Sequence, residues 1–304
     1  MLGATEVEIE RVKGNVFSMA DDSVAEEEPM ELQIEYGPEN RRARKSIAVT
    51  MRTPGNDKEL AAGFLWTEGV IEEADAINDM ITREAVVSDL QEDTANYKKR
   101  TTVLPKSVSG NMVIVRLHPD AQVRLANLER NFYTTSSCGV CGKASLGALR
   151  VLSPPRAYDE FRMRTSILSA LLSRLRDAQP IFAITGGLHG AAIVNADGVL
   201  LQTREDVGRH NAVDKLIGHA LTSGALPLRE RCLLLSGRAS FELMQKAVMA
   251  GIPFVAAAGA PSSLAITVAR EFNVTLVGFL GDEGFNVYSG FERLSDRTRL
   301  GRLL

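Results

Sequence analysis

The second half of the chain alternates short apolar strands with amphipathic helices, and this alternation is the strongest constraint on its fold. Strands that run parallel need a long crossover between them, which is usually a helix. The pattern therefore predicts an α/β domain with a mostly parallel sheet, covered by helices on both faces. The predicted elements are TSILSALLSRLRDA (helix), IFAIT (buried strand), AAIVNADGVLLQT (hairpin), VGRHNAVDKLIGHAL (helix), CLLLSG (strand), SFELMQKAVMAG (helix), PFVAAAG (strand), SSLAITVAREF (helix) and TLVGFLG (strand).

The first half predicts a smaller α+β domain. MELQIEYG and KSIAVTMRTPG alternate as paired strands do, with Gly37-Pro38 at the turn, and DKELAAGFLWTEGVI has helical apolar spacing. NMVIVRL is a further predicted strand, and the charged QEDTANYKKR before it is predicted to be a solvated loop or strand edge. We place the domain boundary just before the cysteine pair, which gives an N-terminal domain of residues 1–133 and an α/β domain of residues 134–304.

Composition and charge narrow the class of protein. The 304 residues carry a formal net charge of -3, so no overall basic field predicts binding to nucleic acid or a membrane surface. Three cysteines do not suit a disulfide-stapled secreted protein. The acidic N-terminus lacks the apolar region of a signal peptide, and no apolar run is long enough to cross a bilayer. We expect a cytoplasmic protein with reduced thiols.

Glycine-containing loops follow the predicted strands, and they should meet at one sheet edge: TGGLHG, SGRAS, AGAPSS and GDEG. In such sheets ligands bind outside the carboxyl ends of the strands, where glycine permits close approach and helix N-termini attract anions. Nearby Arg204, Arg209 and Arg238 favour a phosphate-bearing ligand. Ser240 and Ser262 are predicted helix N-caps. Ordinary strand-to-helix turns are the alternative, and no loop is a P-loop or a G-x-G-x-x-G motif.

The densest polar stretch is QTREDVGRHNAVDKL. Asp206 is placed to cap the following helix, and Asp206, His210 and Asp214 have the spacing of one helical face. One interpretation is a capped surface helix with charge pairs. The other places the helix start at the ligand site, with Arg209 and His210 as contacts.

The C-x-x-C pair Cys138 and Cys141 lies in TTSSCGVCGKAS, which we predict to be a mobile loop. Structural zinc needs four ligands, but Cys232 begins an apolar strand and the histidines lack H-x3–5-H spacing. A zinc deaminase needs H-x-E before P-C-x-x-C, whereas serine precedes Cys138 and the only comparable histidine, in "HGA", follows the cysteines. We therefore expect no metal.

Two thiol chemistries remain for this pair. A dithiol switch usually has its thiols at a helix N-terminus directly after a strand, which the Ser/Thr/Gly loop does not provide. A sulfur relay needs an accessible nucleophilic cysteine that attacks a persulfide, and small residues, glycines and Lys143 suit that role. Cys141 would assist this sulfur transfer or resolve the persulfide. Cys232 is best explained as a small core residue.

Together the motifs resemble the FdhD/NarQ family, the formate dehydrogenase accessory sulfurtransferases. The resemblance extends from about EEPMELQI to FNVYSG. The segments that carry it are EEP, TPGNDKELAAGFLWTEGVI, SSCGVCGKAS, TGGLHGAA, REDVGRHNAVDKLIG, LLLSGRASFELMQKA and GFLGDEGFNVYSG.

The resemblance implies a fold and an activity. The larger domain should be similar to cytidine deaminase, an αβα sandwich here without the deaminase zinc site. The protein would accept sulfur from a cysteine desulfurase as a cysteine persulfide. It would then transfer that sulfur to the molybdenum cofactor, bis-molybdopterin guanine dinucleotide, before the cofactor enters formate dehydrogenase. A homodimer is also implied.

The family pattern assigns the persulfide to Cys138 and links the segment around the last strand to cofactor binding. Cys141, the other thiol of the pair, is the second predicted catalytic residue. This sequence has Gly281 where members often have arginine. Combined with the sheet-edge loops, the predicted cofactor-binding residues are Gly187, His189, Arg209, His210, Gly237, Arg238, Phe279, Leu280, Gly281, Asp282, Glu283 and Gly284. The alternative is a cofactor-binding chaperone without covalent sulfur transfer, which would tolerate Cys138→Ser but still need Arg238.

Overall fold

A computed structural model of the chain describes residues 3–83, 111–125, 142–153 and 160–296. Cys138, Cys141, the QEDTANYKKR stretch and the predicted boundary between residues 133 and 134 lie outside these ranges. Within them the backbone forms a two-stranded ribbon, a four-stranded sheet, a six-stranded sheet and a short two-stranded pairing.

The N-terminal part contains the ribbon, the four-stranded sheet and one α-helix. The ribbon pairs β1 (Ala4–Lys13) with β2 (Val16–Ala25) antiparallel. The sheet has the order β4-β3-β6-β5 and consists of β3 (Glu28–Tyr36), β4 (Ala43–Arg52), β5 (Ile77–Arg83) and β6 (Met112–Leu117). The helix α1 (Asp57–Thr67) packs its apolar residues against β3 and β6. Short 3-10 helices lie at Glu39–Arg41 and Ala74–Ala76.

The predicted β3–β4 hairpin is confirmed. Met30, Leu32 and Ile34 are buried, and the charged or amide residues between them are partly exposed, as a two-residue period requires. Gly37 opens the turn at φ +92°, a conformation that favours glycine. The β1–β2 ribbon was not predicted from the sequence.

The second half contains the remaining elements, listed here in chain order. They are α2 (Gly142–Leu152), β7 (Met163–Arg164), α3 (Thr165–Leu168), α4 (Leu171–Asp177), α5 (Pro180–Thr185), β8 (His189–Val194), β9 (Leu200–Asp206), α6 (Arg209–Thr222), β10 (Cys232–Leu235), α7 (Phe241–Ala250), β11 (Phe254–Ala257), α8 (Ser263–Glu271), β12 (Thr275–Gly281), β13 (Gly284–Ser289), a 3-10 helix (Phe291–Arg293) and β14 (Leu294–Ser295).

The main sheet is mixed, so the prediction of a mostly parallel sheet is wrong. Its order is β13-β12-β11-β10-β8-β9, and β10, β11 and β12 are parallel in its centre. The flanking strands β8, β9 and β13 run antiparallel to their neighbours. Short turns join β8 to β9 and β12 to β13, and strands joined so tightly must reverse direction.

The segment Ile181–Thr185, predicted as a buried strand, is helical in α5. Pro180 occupies its first turn, and the Glu205 carboxylate accepts hydrogen bonds from the N–H groups of Ile181 and Phe182 at 3.2 and 2.7 Å. Capping from a neighbouring strand thus overrides the local β-propensity. The single amphipathic helix predicted over residues 165–178 is two helices, α3 and α4.

Both faces of the main sheet are covered, as predicted. Leu233 and Leu235 of β10 face a core formed with α6, α7 and α8, and Leu234 faces the opposite core with α3 and α4. Cys232 lies in that opposite core, fully buried, and burial raises the pKa of its thiol far above the ordinary value. Its interpretation as a core residue is confirmed.

The two halves meet where α1 crosses α6. A Cβ atom added at Gly63 would lie 1.9 Å from the Asp214 carbonyl oxygen, and one added at Gly218 would lie 1.8 Å from that of Glu59. The helix backbones therefore touch at these glycines, and no other residue fits without moving a helix. In the ranges that the structure describes, no helix is both long and apolar enough to cross a membrane.

Candidate functional site

One edge of the main sheet gathers the predicted cofactor-binding residues. Because β8 is antiparallel to β10, it begins where β10, β11 and β12 end. His189 therefore lies beside Gly237, where an added Cβ would be 3.3 Å from the His189 ring. Gly259 N–H donates to the Gly237 carbonyl at 2.9 Å, and Phe279 N–H donates to the Gly259 carbonyl at 3.2 Å. The strand-end loops are thus contiguous.

Two arginines at this edge lack a carboxylate partner. Across the part of the chain that the structure describes, neither the Arg209 side chain nor the Arg238 side chain makes a hydrogen bond or an ion pair. Arg238 is exposed after β10, and half-buried Arg209 opens α6. Arg204, which the sequence placed with them, instead binds the Glu59 carboxylate through two hydrogen bonds of 2.6 and 2.7 Å. It is part of the α1 contact, so its predicted place in the phosphate site is wrong.

Two uncharged histidines complete the polar side of the edge. His210 Nε2 lies 3.4 Å from Ser240 Oγ and 3.9 Å from a Glu242 carboxylate oxygen. Burial, assisted by Lys246 and Arg209, lowers the pKa of His210 to about 4. Burial and Arg209 also lower the pKa of His189. At neutral pH both rings can therefore accept as well as donate a hydrogen bond.

Asp206 organises the turn that leads into α6. It is fully buried at the end of β9, and one carboxylate oxygen lies 2.7 Å from Lys215 Nζ. Its other oxygen accepts hydrogen bonds from the Gly208 N–H at 2.8 Å and the Asn211 side chain at 3.0 Å. Because Asp206 is in a strand, its predicted helical face with His210 and Asp214 is wrong. The surface-helix interpretation of α6 is also wrong, since most of α6 is buried.

A buried charge network lies beneath His210 and was not predicted. Lys246 of α7 donates to Asp214 at 2.9 Å, to the Thr67 hydroxyl at 2.9 Å and to Glu68 at 3.2 Å. Burial raises the pKa of Asp214 to about 6, against the opposing effect of Lys246. Burial alone would lower the pKa of Lys246, but Asp214 and Glu68 outweigh it and raise this pKa. The lysine therefore stays charged and helps to keep His210 neutral.

Three helix caps were predicted. The Asp206 cap is wrong, because Gly208 occupies the N-cap position of α6. Ser262 Oγ accepts a hydrogen bond from the Ala265 N–H at 3.1 Å, as an N-cap should. Ser240 occupies the N-cap position of α7 but makes no capping bond. The Ser240 hydroxyl instead lies near His210, so Ser240 is one of the residues at the sheet edge.

The Phe279–Gly284 segment forms the end of β12 and the turn into β13. The Phe279 ring is 53% exposed, and its backbone has φ +53°, an uncommon conformation for a bulky residue. Leu280 is buried in the core, so it can offer a ligand only its backbone. Asp282 and Glu283 are exposed in the tight turn between paired Gly281 and Gly284.

The cysteine pair lies outside the described residues, but the helix after it is described. α2 begins at Gly142, so the loop predicted through Ser145 is wrong from that residue onward. The amphipathic sequence of α2 buries Leu149 in the core, and Arg150 forms an ion pair with Glu271 of α8. In the described part of the chain, no group of three or more His, Cys, Asp or Glu residues is arranged to hold a metal ion.

The fold and the sheet edge together define a mixed α/β protein in which glycine loops and polar side chains meet at one edge of the main sheet. The FdhD/NarQ family model matches residues 25–295, and the chain belongs to that family. It is 47% identical to the sulfur carrier protein FdhD of Streptomyces avermitilis, over 95% of this chain and 94% of the relative. It is 37% identical to the sulfur carrier protein FdhD of Sulfurisphaera tokodaii, over 95% and 98%.

A solved structure supports the fold independently. The crystal structure described as a formate dehydrogenase accessory protein from Desulfotalea psychrophila superposes with a TM-score of 0.67. The comparison covers 96% of this chain and 99% of the other, at 22% sequence identity. At that identity the likeness concerns the fold alone.

Proposed function

We propose that this protein is a sulfur carrier in formate dehydrogenase maturation. It takes sulfur from a cysteine desulfurase as a persulfide on Cys138 and gives it to bis-molybdopterin guanine dinucleotide. Membership of a family whose relatives are named sulfur carrier protein FdhD supports the general role. The observation that carries the cofactor part is the glycine-lined edge with Arg209 and Arg238 lacking carboxylate partners.

The loading step is a thiol–persulfide exchange. The Cys138 thiolate attacks the terminal sulfur of the persulfide on the desulfurase, and the bond between that sulfur and the desulfurase cysteine breaks. The desulfurase thiolate leaves, and Cys138 holds the terminal sulfur. No external oxidant or reductant is needed, because the sulfur–sulfur bond moves from one cysteine to another.

Release of the sulfur as sulfide requires two electrons, and Cys141 can supply them. Its thiolate attacks the Cys138 sulfur, and a Cys138–Cys141 disulfide forms as the terminal sulfur departs as sulfide. Sulfide is a soft ligand that suits a transition metal. Reduction of the disulfide by a cellular dithiol would return the carrier to its starting state.

The sheet edge would hold the cofactor by its nucleotide parts. Arg209 and Arg238 are suited to the pyrophosphate groups, since guanidinium donates paired hydrogen bonds to phosphate oxygens. The start of α6 presents backbone N–H groups to an anion on the same side. Neutral His189 and His210 can exchange hydrogen bonds with pterin or guanine groups, and Phe279 offers an exposed ring.

The test measures loading and cofactor binding separately. The purified chain is incubated with an active cysteine desulfurase and cysteine, and peptide mass spectrometry should find reductant-sensitive added sulfur on the Cys138 peptide. Cys138→Ala should abolish that mass, and Cys141→Ala should retain it but fail to release sulfide. Absence of added sulfur on either cysteine would contradict the carrier role and favour a cofactor-binding chaperone.

Cofactor binding is tested with Arg238→Ala against a matched control. Arg176 is an exposed arginine on α4, so Arg176→Ala removes the same charge away from the edge. Arg238→Ala should weaken binding of the purified cofactor by about tenfold, the loss of one charge-assisted contact, and Arg176→Ala should not. Equal affinities in the two variants would exclude the edge as the binding site.

A further inference from the structure

The β1–β2 ribbon has two chemically different faces. Residues opposite each other in an antiparallel pair share a face, and alternate residues change face. Val12 pairs with Phe17, Glu10 with Met19, and Glu8 with Asp21. One face therefore carries Ala4, Glu6, Glu8, Glu10, Val12, Phe17, Met19, Asp21, Ser23 and Ala25. We call it the acidic face, since it has four carboxylates and no basic side chain.

The tip of the acidic face is apolar and open to solvent. Val12, Phe17 and Met19 are 52%, 63% and 64% exposed, although each could bury most of its surface in a core. Clustered exposed apolar side chains mark interaction sites, and aromatic residues and methionine are enriched there. All of the ribbon except Ala25 lies before the residues that the family model matches.

The base of the ribbon adjoins the candidate site. A Cβ added at Gly187 would lie 3.2 Å from the Ala25 Cβ, and Ala25 belongs to the acidic face. Gly3 and Glu26 fasten the two strands together there, through the Gly3 N–H to Glu26 at 3.2 Å and the Glu26 N–H to the Gly3 carbonyl at 3.0 Å. With ten residue pairs the ribbon is roughly 30 Å long. A protein bound along it would be held beside the His189 end of the edge.

The negative charge of the acidic face disfavours its packing against the same face of a second copy of this chain. Two acidic faces packed on each other would bring carboxylates together without basic partners, which is unfavourable. A complementary surface has an apolar depression for Phe17 and Met19 with a rim of Lys or Arg. The base of the ribbon, at Ala25, adjoins the edge that the proposed function assigns to the cofactor.

We propose that the acidic face of the β1–β2 ribbon docks apo-formate dehydrogenase, through a basic-rimmed apolar surface on that enzyme. The inference rests on the proposed function for the identity of the partner. Docking there would hold the recipient enzyme beside the edge from which the cofactor is delivered.

The experiment measures the affinity of purified, cofactor-free formate dehydrogenase for the full chain. In the double variant Phe17→Ser, Met19→Ser the affinity should fall about tenfold or more, as expected for loss of a central anchor. The matched control is Val16→Ser, because Val16 is 69% exposed on the opposite face of the same ribbon. The control should stay within about twofold of the wild type. The wild-type affinity should weaken with added salt.

Several results would overturn the proposal. Unchanged affinity of the double variant, or an equal loss in Val16→Ser, would exclude the acidic face as the docking site. Slower loading of Cys138 by the desulfurase, with normal dehydrogenase binding, would assign the ribbon to the sulfur donor. A change in oligomeric state alone would assign it to a second copy. Failure of the wild type to load sulfur or bind cofactor would instead reject the proposed function, since dehydrogenase binding is measured independently.

Discussion

Buried charged side chains at the junction of α1, α6 and α7 are paired. Two arginines at the edge of the main sheet are not. At the junction, buried Arg52, Lys215 and Lys246 all lie within ion-pair distance of carboxylates. At the edge, Arg209 and Arg238 have no such partner in the described structure. A buried charge without a partner is costly, whereas a cation near water can remain free. The pairs Lys246–Glu68 and Arg204–Glu59 join the two halves. The two unpaired arginines are the ones that the proposed function assigns to the cofactor.

The largest expected effect tests the junction. Lys246→Met would leave Asp214 and Glu68 facing a buried apolar side chain, and loss of one partner of a buried pair typically costs about 3–5 kcal/mol. Urea denaturation should show this loss. Lys58→Met, on the exposed side of α1, should change the free energy of unfolding by less than about 0.5 kcal/mol. A loss below about 1 kcal/mol in Lys246→Met would show that the network contributes little to stability.

The second prediction concerns the pH dependence of the same network. Burial raises the folded-state pKa of Asp214 from 3.8 to about 6. A raised carboxyl pKa stabilises the fold below the unfolded value, and that contribution is lost as pH rises through about 6. Relative to Asp214→Asn, the wild type should therefore lose up to about 3 kcal/mol of stability between about pH 4 and pH 7. If the wild type instead gains stability relative to Asp214→Asn as the pH rises, the attraction of Lys246 exceeds the effect of burial.

The third prediction tests the helix contact at the junction. Gly218→Ala would place a methyl group against the α1 backbone, and overpacking of this kind costs about 1–3 kcal/mol or more. Gly147 of α2 is the matched control because a Cβ added there meets no atom of the described residues within 4 Å. Gly147→Ala should be neutral or slightly stabilising. Thermal melts of the two variants compare them directly, and similar melting temperatures would contradict the close helix contact.

The smallest effect on stability is expected at the edge. Arg238→Ala removes no hydrogen bond or ion pair of the described structure, so the free energy of unfolding should change by less than about 0.5 kcal/mol. The same variant is the one expected to lose cofactor affinity. A marked loss of stability would mean that Arg238 supports the fold, so that the edge and the junction would not differ in this respect.

Much of the secondary structure followed from periodicity. The β3–β4 hairpin, the β8–β9 hairpin, α1 and the helices α6, α7 and α8 lie where apolar spacing predicted them. β3 buries alternate residues and α8 buries one stripe, because a strand repeats every two residues and a helix about every 3.6. β8 and α6 are instead buried at most of their positions. The helix α5 did not follow, since its cap comes from Glu205 in a neighbouring strand.

Some features of the candidate site could likewise be predicted from local sequence, and others depend on distant residues. Glycine loops, arginines and histidines could be selected by chemistry and by their position after predicted strands, and Gly187, His189, Gly237 and Arg238 lie at one edge. The sequence could not separate Arg204 from Arg209 and Arg238, because the Glu59 that binds Arg204 is 145 residues away. The Lys246 network was missed for the same reason, since its partners come from α1 and α6.

The family resemblance, the alternating elements, the two-sided core and the types of residue at the strand ends could all be predicted from the sequence. Those properties depend on neighbours along the chain, where side-chain period and turn chemistry act locally. Tertiary contacts set three further features: the direction of β8 and β13 against the central strands, the glycine contact between α1 and α6, and which cations are paired. Strand direction, close backbone approach and ion pairing depend on groups that folding brings together from distant parts of the chain.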